Sequence, residues 1–121
     1  MDATFVQLVS AAAAPADTIN AVAWRGSAAE SRATLLGSAP ASREAQLWLW
    51  ALGPGERYDA RLDPAGWHEM IVVTTETLRI DRDEGRVTLR PGKHAIYSSA
   101  QNYAYVNPYD GVTRFIRNVL S

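Results

Sequence analysis

At 121 residues the chain can bury one core but not two, and 12 basic residues against 13 acidic ones leave a formal net charge of −1. The 47% hydrophobic and 21% charged fractions are those of a soluble globular protein. No apolar run approaches the roughly 20 residues a membrane helix needs. Absence of cysteine excludes disulfides and thiolate metal sites, and the scattered arginines (Arg25, Arg43, Arg79, Arg114) form no phosphate-neutralising cluster.

Asp2 is a candidate N-cap, and Phe5, Leu8, Val9 and Ala12 fall at the spacing of one helical face before Pro15, which predicts a short helix within residues 1–18. No basic leader precedes it, so the expected location is the cytoplasm.

From Ile19 onward short β-rich runs alternate with turn residues. Strands are predicted at 20–24, 32–37, 46–52, 57–61, 67–74, 77–81, 86–89, 94–98, 103–106 and 112–119, as in an antiparallel sandwich or barrel. Gly53-Pro54-Gly55, Asp63-Pro64-Ala65-Gly66, Asp83-Glu84-Gly85, Pro91-Gly92 and Asn107-Pro108-Tyr109-Asp110-Gly111 punctuate them.

Alternation puts Leu78 with Ile80 and Val87 with Leu89 on one face of their strands. The run Gln46 to Leu52 is apolar on both faces, so one face fills the interior and the other needs a cover, the N-terminal helix or a second subunit. If Glu69 points inward, Trp67, Ile71 and Val73 go with it and His68 faces out; His94 sits near a strand start, and each lone histidine is read as a surface residue.

Two spaced patterns carry more. Gly55 is followed by Arg61, Asp63, Glu69 and Glu76; Gly92 is followed by Ser98, Ala100, Tyr103 and Asn107. These resemble the two signature motifs of the cupin superfamily. Trp24-Arg25-Gly26, Leu47-Trp48-Leu49-Trp50, Leu52 to Tyr58 and Tyr103 to Asn107 look like the C-terminal cupin domains of XRE-type helix-turn-helix regulators. The resemblance covers nearly everything after residue 20 and implies an all-β fold: a small double-stranded β-helix, or jelly-roll barrel, over 19–121 behind a helical segment at 1–18. The stretch ahead of the match is too short for a helix-turn-helix, so the expectation is a stand-alone sensor-like domain or a regulator's effector half, binding no DNA by itself.

The family's metal site uses three imidazoles and a carboxylate. Here Arg61, Asp63 and Tyr103 stand at the histidine positions and only Glu69 is kept. A guanidinium has no lone pair and a neutral phenol is a rare ligand, so neither metal nor cofactor is expected. The expected ligand-binding residues are Arg61, Asp63, Glu69, Tyr103, Tyr105 and Trp67. Arg61 is expected to bridge to Glu69 or Asp63, or to leave capacity for a small polar or amine-bearing effector. The function implied is ligand sensing or binding, as a homodimer and with no catalytic residue assigned. The alternative is a metal-free cupin isomerase- or epimerase-like enzyme acting on a small polar metabolite. A third reading places the functional surface on the Trp48 and Trp50 strand.

Overall fold

A computed structural model describes residues 19–121, so the helix expected at Asp2 to Ala14 lies outside the described residues. Ten strands follow one another: β1 (Ala21–Arg25), β2 (Arg32–Pro40), β3 (Glu44–Leu52), β4 (Arg57–Ala60), β5 (His68–Thr75), β6 (Leu78–Arg82), β7 (Val87–Leu89), β8 (His94–Ser98), β9 (Tyr103–Val106) and β10 (Thr113–Leu120). Each lies on a predicted run, with ends that agree to within three residues. Among the described residues none forms a helix long and apolar enough to cross a membrane.

The strands make two antiparallel sheets, one of six strands in the order β1-β2-β3-β10-β5-β8 and one of four in the order β4-β9-β6-β7. Consecutive strands therefore often belong to opposite sheets, and the core lies between them. Period-two alternation decides what enters it. On β5, Glu69, Ile71 and Val73 are buried while His68, Met70 and Val72 are exposed. On β10, Thr113, Phe115, Arg117 and Val119 are buried. Trp48, Trp50 and Leu52 of β3 enter the core opposite Tyr103 and Tyr105 of β9, and the rings of Trp50 and Tyr105 meet edge-on, 5.0 Å between centroids.

This alternation narrows the reading that put the functional surface on the Trp48 and Trp50 strand, because the indoles themselves belong to the core. Trp48 and Trp50 are 1% and 2% exposed, and the outward residues of that strand are Leu47 and Leu49.

Beyond the strands, Asn107 ties three segments together. Its amide nitrogen donates to the carbonyls of Leu52, Gly53 and Gly111 at 3.0, 3.1 and 2.7 Å, and its side-chain oxygen accepts the Tyr109 amide. Carbonyls left between strands in a buried corner need such a donor.

Glu76, at the position where the motif it resembles closes with glycine, sits at φ 59° between β5 and β6. A side chain in the left-handed region costs about 1–2 kcal/mol, part of which glycine returns through its looser unfolded state. Glu76→Gly is therefore expected to raise stability by about 0.5–1 kcal/mol, read as a higher urea midpoint at unchanged slope. A lower midpoint would mean that the packing of Glu76 against Gly111 outweighs the strain.

Candidate functional site

Glu69 lies on the interior face of β5, where its side chain is 1% exposed. An isolated carboxylate there would cost several kcal/mol, so its partners decide the site. Three phenols supply them. Tyr97, its cross-strand neighbour on β8, donates to Oε1 at 2.8 Å, and Tyr105 donates to the same oxygen. Tyr103 donates to Oε2 at 2.7 Å. Since Tyr103 and Tyr105 reach across from the other sheet, one carboxylate fastens both sheets.

The charge is balanced by Arg117 on β10, whose Nη1 lies 3.6 Å from Glu69 Oε2 and donates to the Tyr105 hydroxyl at 3.1 Å. Its guanidinium carbon lies 4.7 Å from the centroid of Trp48 and 5.0 Å from that of Trp50, where the ring faces attract the cation. Burial alone would lower its pKa. The Tyr105 oxygen and the Glu69 carboxylate more than reverse that, so its pKa is raised and the guanidinium stays charged. Burial first, then neighbouring negative charge, pushes Tyr97 and Tyr103 far above the usual phenol range. Tyr105 is raised as well, chiefly by burial.

Arg117 replaces Arg61 as the internal cation. Arg61 is exposed and forms no ion pair among the described residues, because it follows the end of β4 in a loop that leads out of the core. The expected bridge from Arg61 to Glu69 is thus corrected. Arg117 was legible in principle: it shares the parity of Phe115 and Val119 on a strand whose alternation is clear. Tyr97, one residue before Ser98 of the second motif, is a direct partner of the carboxylate that the sequence did not single out.

Asp63 is partly buried on the same loop, where its amide donates to the Ser99 carbonyl at 2.9 Å. Burial raises its carboxyl above the ordinary range; the Ser99 hydroxyl beside it offsets part of this, and Glu69 adds to it. Ser99 is fully buried, and its hydroxyl is close enough to favour the carboxylate yet forms no well-shaped hydrogen bond. Trp67, half-buried, accepts the Ser99 amide on its carbonyl at 3.0 Å. Tyr58 is raised too, first by burial, and its ring stacks on that of Tyr105 with centroids 5.6 Å apart. Two further buried donors, Trp50 Nε1 and Arg117 Nε, have no hydrogen-bond acceptor among the described residues.

The donor set does not fit a transition metal. Around Glu69 stand phenols and a guanidinium, while His68 and His94 are exposed on strands where their parity points away from the core. Among the described residues no group of three His, Cys, Asp or Glu side chains is placed to hold an ion. A groove of about 360 Å³ lies on the far side of the four-stranded sheet, lined among others by Arg57, Asp59, Asp81, Arg82 and Asn102. Its charges serve each other: Asp81 takes Arg57, Arg79 and Arg86 at 3.0–3.2 Å.

Two facing antiparallel sheets closed around an apolar core that holds one buried polar cluster define a small jelly-roll barrel. The chain has the cupin fold. It is similar to the Cupin_2 domain of an XRE family transcriptional regulator from Enterobacter cloacae, with TM-score 0.61 and 22% identity over 64% of this chain and 81% of that one. An HTH_3 family transcriptional regulator from Vibrio cholerae matches 98% of this chain and 61% of its own, with TM-score 0.69 and 18% identity. A sugar phosphate isomerase of the cupin superfamily from Silicibacter pomeroyi matches 70% of this chain and 59% of its own, with TM-score 0.56 and 21% identity. The chain thus spans less than two thirds of the latter two. No protein-family model matches the sequence, and no curated protein does.

Proposed function

We propose that this chain is a ligand-sensing or binding domain, of the kind that forms the effector half of a transcription regulator, working in the cytoplasm without a metal and without touching DNA itself. The observation that carries the reading is the engagement of Glu69 by three phenol hydrogen bonds with a guanidinium 3.6 Å away. A carboxylate that already accepts three phenols and faces a guanidinium is a poor ligand for an ion and a poor base toward a substrate. This counts against a metal-dependent enzyme, and against an isomerase or epimerase with Glu69 as its base.

Unused hydrogen-bonding capacity sits nearer the rim, on Asp63, Ser99 and Tyr58, with Trp67 and Arg61 on the same loop. Glu69, Tyr103 and Tyr105 form the floor beneath. The Glu69 and Arg117 charges cancel, and Asp63 has no ion-pair partner among the described residues, so the rim favours a small polar effector carrying an amine.

A panel of small amines, amino acids and carboxylates, screened by thermal shift and confirmed by calorimetry, tests this. Asp63→Asn is expected to weaken the best amine at least ~10-fold. Because Asp63 must be ionised to bind, affinity should rise with pH through its elevated pKa. Its contribution to the unliganded fold has the opposite sign: the raised pKa favours the protonated form, so that contribution is complete at low pH and is lost as pH climbs through the folded value. No shift from any amine at millimolar concentration, or a stoichiometric metal after purification, would overturn the reading.

A further inference from the structure

One end of the barrel carries two opposite charges that do not neutralise each other. Ala60, Tyr103 and Arg82 share a rung where β4, β9 and β6 lie side by side. Directly paired residues project to the same face of a sheet, so Arg82, the last residue of β6, turns inward with Tyr103. Its guanidinium carbon accordingly lies 5.5 Å from the ring centroid of Tyr97, a buried residue of the opposite sheet. Asp63 stands at the same end: its loop leaves β4 at Ala60, and its amide is held by the carbonyl of Ser99, just past Tyr97. Asp63 and Arg82 form no ion pair with each other. β4, which leads to Asp63, and β6 are two strand spacings apart, roughly 10 Å, too far for a direct pair and within reach of a small molecule.

Arg82 is only partly committed. Its Nε donates to the Gly85 carbonyl at 2.9 Å, and Nη1 lies 3.2 Å from Oε1 of Glu84, whose side chain is 52% exposed. An ion pair that wet is weak and open to exchange. Gln101 donates to the same Glu84 oxygen at 3.1 Å, so Glu84 stays partnered when Arg82 turns to another anion. Nη2 of Arg82 has no hydrogen bond among the described residues. The groove of about 360 Å³ reaches this rung, since Ala60, Arg82 and Tyr103 all help to line it, and it opens a way to the guanidinium from solvent.

We propose that Arg82 is the second anchor of the effector site and that the effector is a zwitterion, an amino acid whose amine meets Asp63 and whose carboxylate meets Arg82. The inference rests on the amine reading given above and adds the acid end. A carboxylate suits a guanidinium edge through paired, charge-assisted hydrogen bonds. A simple amine leaves Arg82 idle and a simple acid leaves Asp63 without a partner, so a molecule with both charges is favoured over either. Ala60 places only a methyl group on the rung between them, which leaves room for such a ligand.

Calorimetry on the full chain tests this. Each common amino acid is titrated, and the tightest is compared with its decarboxylated amine and its carboxamide. The amino acid is expected to bind at least ~10-fold more tightly than either. Arg82→Gln should erase that advantage and leave the affinity for the amine unchanged, whereas Asp63→Asn should weaken all three ligands. An Arg82→Gln variant that loses all three alike would assign Arg82 to the fold and overturn the proposal. An amine that binds wild type as tightly as its amino acid would overturn it too, while leaving the amine reading in place; no binding by any amine or amino acid would overturn both.

Discussion

Replacing Glu69 with alanine should cost about 3–5 kcal/mol of folding stability, a third or more of what a domain of this size ordinarily has. Three effects add. The phenols of Tyr97, Tyr103 and Tyr105 lose their acceptor while 4%, 7% and 0% exposed, and water cannot replace it without opening the barrel. The two sheets lose the group that bridges them. Arg117, 4% exposed, is left as a buried cation with no counter-charge. Arg117→Met leaves the carboxylate its three phenol donors but no cation, so it should be destabilising but milder. In the double variant the losses should fall short of their sum by ~1–3 kcal/mol, the signature of a coupled pair. Urea unfolding of the four proteins measures all of this. A Glu69→Ala variant within ~1 kcal/mol of wild type would show that the cluster is not the tie between the sheets.

The second large effect is at high pH. Tyr97, Tyr103 and Tyr105 have folded pKa values raised well above those in the unfolded chain, about 10. Groups raised in this way contribute stability that is fully present below pH ~10 and is lost as pH rises beyond it, because only the unfolded chain then releases the protons. Three such phenols remove roughly 4 kcal/mol per pH unit, so cooperative unfolding should occur within about two units above pH 10. Absorbance of phenolate followed against pH, with far-ultraviolet dichroism in parallel, should show these three tyrosines ionising only as the barrel opens. Smooth titration of all five tyrosines near pH 10 in a still-folded protein would mean that the phenols are not buried on Glu69. Tyr97→Phe, Tyr103→Phe and Tyr105→Phe should each make the alkaline transition less steep.

Both effects bear on function through one geometric fact. The strands that carry Glu69 and Arg117 inward carry Met70, Val72, Ile116 and Asn118 outward. A ligand that disturbs the floor of the barrel therefore moves the same strands that hold the apolar outer face, with no intervening element.

Where strands begin and end was readable because period-two alternation and turn chemistry are local. Gly55, Gly66, Gly85 and Gly92 all take positive φ, as the turn-rich punctuation required. With Glu69 taken as inward, the same parity rule correctly sent Ile71 and Val73 with it and His68 outward, while the resemblance to the motif singled out Glu69 as the carboxylate kept. What occupies the space around that carboxylate was not local. Tyr97 is 28 residues away in sequence and Tyr105 is 36, and their meeting depends on sheet order and on the gap between sheets. The choice of cation fell to the same level. Arg61 lay in the matching motif but ends outside, whereas Arg117, from a strand with no motif, is carried in by β10 lying between β3 and β5. Residue type and parity say which side chains face inward; only the stacking of the two sheets decides which of them touch.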